Sequence, residues 1–123
     1  MDDAVRSALE NDLVIDITTI GRKSGRPHRN EIWFHNMDGQ VYITGLPERR
    51  DWYANMTANP QFTFHLKGSA QADLPARATP IRDKARRREI FQQMKDRFEG
   101  RRGIDIDVFV EKSPLVSVEF VEQ

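Results

Sequence analysis

The chain has 123 residues, 38% of them hydrophobic, and its 19 Lys and Arg balance its 19 Asp and Glu, so net charge argues neither for nor against a nucleic-acid partner. The absence of cysteine excludes disulfides, thiolate catalysis and cysteine-based zinc sites. No apolar run reaches the roughly eighteen residues of a membrane span, and Met1-Asp2-Asp3 opens no secretory signal, so the expectation is one cytoplasmic domain over residues 1–123.

Asp2 or Asp3 caps a short helix reaching about residue 10, with Val5, Ala8 and Leu9 as a thin apolar stripe. Residues 14–19 and 29–37 read as strands, and Asp38-Gly39 is a hairpin turn leading into a third strand, 40–44. Gly45-Leu46-Pro47 stops that strand. Residues 50–58 read as a helix closed by Asn59-Pro60, with Trp52, Tyr53 and Met56 at helical spacing. Phe62, Phe64 and Leu66 alternate with polar residues along a half-buried strand, 61–67, and 70–81 is extended, with Pro75 demanding an edge or a bulge. Asp83 caps the longest helix, 84–99, whose stripe is Ile90, Phe91, Met94 and Phe98 and whose stop is Gly100. Its basic end (Arg82, Lys84, Arg86, Arg87, Arg88) reads as a solvated face. Residues 104–110 suit a strand or a short helix, and 115–121 form the last strand. The order lacks the regular strand–helix alternation of a doubly wound fold. A mainly β, α+β architecture follows: six antiparallel strands in a small closed or split barrel, a short N-terminal helix and two further helices.

The connection between the first two strands is longer and more basic than a hairpin needs. Gly21-Arg22-Lys23-Ser24-Gly25-Arg26-Pro27-His28-Arg29 combines turn-permitting glycines, a hydroxyl donor and several cations. Such a loop suits a phosphate or carboxylate, and equally a solvated hairpin tip. It is not a P-loop, because the spacing is wrong and a strand follows. His28, His35 and His65 are dispersed and stand at no metal-ligand spacing. No serine lies in a nucleophile elbow and no carboxylate pair stands out. If this chain is an enzyme, a bound organic cofactor carries the chemistry. Adjacent Trp52 and Tyr53 point different ways on a helix, and Asn55 lies near the face of Trp52; the group suits either a planar heterocycle or the core.

Two ordered motifs carry a resemblance. Thr18-Thr19-x-Gly21-Arg22-Lys23-Ser24-Gly25-x-Pro27, then two strands joined by Asp38-Gly39, then Trp52-Tyr53-x-Asn55-x-x-x-Asn59-Pro60, resemble the deazaflavin-dependent nitroreductase family. The resemblance implies a six-stranded split β-barrel of the FMN-binding type, related to pyridoxamine-phosphate oxidases and flavin reductases. It implies coenzyme F420 as cofactor and hydride transfer to a nitroaromatic, quinone or similar small acceptor. By position, Arg22, Lys23 and Ser24 would hold the cofactor's phosphate and acidic tail. His28 stands where the family often has arginine, with Arg29 beside it. Glu31, Ile32 and Trp33 would line the deazaflavin, and Trp52 and Asn55 would close the far side; no catalytic side chain and no metal ligand is assigned. The family's Ser-Lys-Gly-Gly after the third strand is replaced by Thr44-Gly45-Leu46-Pro47-Glu48-Arg49-Arg50, which leaves Arg49 or Arg50 to supply the missing cation. Residues 1–11 contain no aromatic to cover an acceptor. Solvent or Tyr42 are the candidate proton donors. The rival readings are an FMN-dependent reductase on the same barrel, a non-enzymatic carrier of flavin, haem or an apolar ligand, and, last, an RNA binder. A homodimer is expected, since short strands leave edges to cover.

Overall fold

The structure is a computed structural model that describes residues 1–121. Six antiparallel strands, β1 (Val14–Ile20), β2 (Pro27–Met37), β3 (Gln40–Thr44), β4 (Gln61–Lys67), β5 (Gln71–Pro80) and β6 (Leu115–Phe120), close into a barrel in the order β1-β2-β3-β6-β5-β4. Four helices accompany them: α1 (Asp3–Asn11), α2 (Asp51–Ala58), α3 (Lys84–Arg97) and α4 (Ile106–Lys112). The expectation of six antiparallel strands is met; that of two helices beyond the first is one short.

The additional helix is α4, in the segment whose sequence suited strand or helix. Asp105 caps it, its carboxylate accepting from the Val108 N–H at 3.2 Å. Phe109 packs edge-to-face on Phe91 of α3 at 5.4 Å, so tertiary packing overrides the β-branched composition. Helix α3 ends earlier than the Gly100 signal suggested. Phe98 is its C-cap with extended backbone, and a single 3-10 turn, Glu99–Arg101, follows.

The core has two parts. Inside the barrel, Ile15 and Ile17 of β1, Phe34 of β2, Ile43 of β3, Phe64 of β4 and Val116 of β6 interdigitate with Val5, Ala8 and Leu9 of α1. Phe34 meets Phe64 edge-on at 5.2 Å, and Phe64 meets Phe120 at 5.1 Å. Outside the barrel, Tyr42 and Met37 are covered by Ile90, Phe91 and Met94 of α3 and by Phe109 and Val110 of α4. Strand β3 is therefore buried on both faces from Val41 to Thr44. Asp38 (φ 58°) and Gly39 (φ 93°) make the tight β2–β3 turn, with Asn36 Oδ1 accepting from the Gly39 N–H. Among the described residues no helix is long and apolar enough to cross a membrane.

Candidate functional site

Ile20 and Pro27 are the last paired residues of β1 and β2, and the six residues between them form the basic loop. The loop folds back on itself: the Gly21 N–H donates to Arg26 O at 2.8 Å, and the Gly25 N–H donates to Gly21 O at 2.9 Å. Ser24 Oγ accepts from the Arg26 N–H at 3.1 Å and keeps its own proton to donate. Gly21 lies in close approach to two side chains, those of Ser24 and His28. A Cβ there would stand 2.6 Å from Ser24 Oγ and 2.7 Å from His28 Nε2.

Asn55 fixes this loop to α2. Its side chain is 4% exposed. Its Oδ1 accepts from the Arg22 backbone N–H at 3.1 Å and from the Arg22 guanidinium at 3.0 Å, and its Nδ2 donates to Thr19 Oγ1 at 3.2 Å. Arg22 also reaches Asp51 at 3.5 Å. One amide thus ties the end of β1, the loop and α2 together. Lys23 and Arg26 are exposed and make no ion pair among the described residues.

The result is a groove with two lobes. The first, about 320 Å³, is lined by Arg22, Lys23, Ser24, His28 and Arg29 on one side and by Asp51, Trp52 and Asn55 on the other. The second, about 500 Å³, is lined by Glu31, Ile32, Leu46, Arg49 and Arg50. Asn30, Asp51 and Trp52 line both lobes, so the two adjoin. The first lobe is cationic. The second combines apolar surface with the two arginines that follow the third strand.

Nine of the ten residues singled out for the cofactor line this groove; Trp33 does not. Its ring lies on the far side of β2, with the Arg101 guanidinium 5.4 Å above it and Gly100 pressed so close that a Cβ would sit 2.6 Å from the ring. Tyr42, the candidate proton donor, is buried beneath α3 and lines neither lobe. Trp52 belongs to the groove and to the barrel core together. Arg29 donates to Asp16 at 3.0 Å, Lys67 bridges Asp16 and Glu31, and the Lys67 hydrogen bond chiefly holds the Asp16 carboxyl below its ordinary pKa. Sequence reasoning passed over Thr19 as a partner of Asn55. The available signal was its place in the inward alternation Ile15, Ile17, Thr19. Among the described residues no cluster of three or more His, Asp or Glu suits a metal ion.

A family model described as F420H(2)-dependent quinone reductase matches residues 3–113. The chain belongs to that family. It is an F420-dependent oxidoreductase, and the cofactor implied by the two motifs is the one in the family's name. Solved structures share the fold. A conserved hypothetical protein of Mycobacterium tuberculosis superposes with a TM-score of 0.76 at 16% identity, covering 99% of this chain and 82% of that one. A structure described as an F420 reductase gives 0.71 at 20% identity, covering 99% and 97%. The haem-storage protein HutZ of Vibrio cholerae gives 0.70 at 16% identity, covering 97% and 89%. The same barrel thus serves different ligands, and fold alone would not choose among them.

The groove fits what the quinone reductase family binds. F420 carries a phosphate and an acidic tail, and the first lobe offers three cations, a hydroxyl donor and an imidazole.

Proposed function

We propose that this reductase transfers hydride from reduced F420 to a small electron-poor acceptor, a quinone or a nitroaromatic, with the two-lobed groove as the site. The carrying observation is that a cationic lobe adjoins one that is part apolar, which suits an anionic tail joined to a planar ring. When bound, the reduced deazaflavin supplies the hydride from C5. Arg22, Lys23, Ser24, His28 and Arg29 hold its phosphate and tail in this reading. Asn55 keeps Arg22 and the loop seated on α2. Ile32, Leu46 and Trp52 form apolar wall in the second lobe and keep water from the reacting carbon.

Arg49 and Arg50 take the place of the lysine missing after β3, since both line that lobe. There they stabilise negative charge that develops on an acceptor oxygen as it is reduced. Because Tyr42 lies elsewhere, solvent delivers the proton that completes a hydroquinone. A homodimer belongs to this reading, but for a different reason than unpaired edges, because a closed barrel has none. Its support is the exposed apolar trio Leu13, Val14 and Trp33, with Val14 and Trp33 paired across β1 and β2. Light scattering on purified protein should give twice the monomer mass.

The testing experiment is oxidation of reduced F420 by menadione and by a nitroaromatic, followed by absorbance. Turnover of either supports the acceptor class. No turnover with either, in protein that binds F420, would remove it.

A further inference from the structure

A larger cavity, about 660 Å³, lies on the other side of α2. Tyr53, Ala54, Ile81, Val110 and Pro114 give it an apolar lining. Its lining includes six cations and only two carboxylates, and one of those carboxylates, Glu111, is engaged by Lys84 at 2.9 Å. Two buried polar groups stand in the wall. Arg87 is 7% exposed, and its hydrogen bonds all go to backbone carbonyls, those of Ile81, Phe109, Val110 and Ser113; none goes to a carboxylate. Ser113 is 4% exposed, and its Oγ has no hydrogen-bond partner. A guanidinium hydrogen-bonded only to neutral carbonyls keeps most of its positive field, and a buried hydroxyl without a partner is costly, so both favour an anionic oxygen in the cavity.

We propose that this cavity is a second binding site, for an organic carboxylate with an apolar body. The carboxylate faces the positive field of Arg87 and the rim cations Arg82 and Lys112, with Ser113 as its hydroxyl partner, and the body packs on Tyr53, Ala54 and Val110. The volume falls within the range of about 300–1,000 Å³ of small-molecule sites. Arg49 and Arg50 line both this cavity and the second lobe, but the groups that carry the proposal, Arg87, Ser113, Arg82 and Lys112, line neither lobe. Trp52 and Asn55 present one side of α2 to the groove, while Tyr53, Ala54 and Thr57 present the other to this cavity.

The test is calorimetric titration of the purified protein, with and without F420, by naphthalene-2-carboxylate and by the neutral naphthalene-2-carboxamide. The expected result is saturable one-to-one binding of the carboxylate, at least tenfold tighter than the amide. Amide resonances of Ala54, Val110 and Ser113 should shift in the NMR spectrum. The double variant Arg82→Gln, Lys112→Gln should weaken the carboxylate at least tenfold and leave F420 affinity unchanged, and Ser113→Ala should weaken it several-fold. Equal affinity for acid and amide, no binding at millimolar concentration, or a double variant that binds the carboxylate normally would each overturn the proposal. Because the readout is direct binding, a failed acceptor assay does not touch it.

Discussion

Asn55 spends its carbonyl on Arg22 and its amide on Thr19, so it is a tether more than a surface for the ring. Asn55→Leu strands the Arg22 N–H and Thr19 Oγ1, and should cost about 1–3 kcal/mol in stability for the lost partners. F420 affinity should fall with it, and thermal melts alongside cofactor titration check both. Lys23 is different: it is exposed, unpaired among the described residues and free to meet an anion. Lys23→Ala should weaken F420 by about 1–3 kcal/mol, the scale of a charge-assisted hydrogen bond, and leave the melting temperature unchanged. An unaltered dissociation constant would return the loop to a solvated hairpin tip. His35 belongs to stability. It is buried, its Nε2 accepts from Arg101 Nε at 3.1 Å, and burial followed by the Arg101 charge lowers its pKa from 6.5 to about 3. The unfolded chain takes up that proton near pH 6.5 while the folded one refuses it, so this contribution is fully present above pH 6.5 and is lost as pH falls towards about 3. The melting temperature should drop steadily over that window, and His35→Leu should flatten the slope whatever its effect at neutral pH.

Helix α4 shows what periodicity does not reveal. Val108-Phe109-Val110 has strand composition, and Arg87 sits in a run of basic residues that reads as a wet face. The fold joins them. Arg87 turns inward and caps the last carbonyls of α4, those of Phe109, Val110 and Ser113. Nothing local marks Arg87 from Arg86 or Arg88, because three of its four carbonyl partners lie more than twenty residues away. Arg87→Met should cost about 3–5 kcal/mol, the scale of leaving buried polar partners uncompensated. Arg87→Lys should recover part of it, with chemical denaturation as the measurement. The elements with regular alternation were legible: the pattern over 61–67 coincides with β4, and Asp38-Gly39 turns where it should. Pro75 falls in β5, paired with Thr63 of β4 but just beyond the end of the β5–β6 ladder, the edge position that the sequence called for.

At the scale of the molecule, closure of the barrel sets the first motif, on the β1–β2 loop, against the second, on α2. The two were legible separately because each is a short local pattern. That they share a groove follows from Asn55 reaching Arg22 across 33 residues, which no local pattern encodes. The same closure carries Trp33 away: Asn30, Glu31 and Ile32 line the groove, while the Trp33 ring lies against Arg101 and Gly100. The cationic lobe is, in this reading, the anion-holding end of an F420 site. Its direct test is equilibrium titration of the wild-type protein and Lys23→Ala with F420 and, separately, with FMN. Saturable binding of F420 that is tighter than FMN and is weakened in Lys23→Ala is the expected result. Saturable binding of FMN alone, or F420 binding indifferent to Lys23, would contradict it.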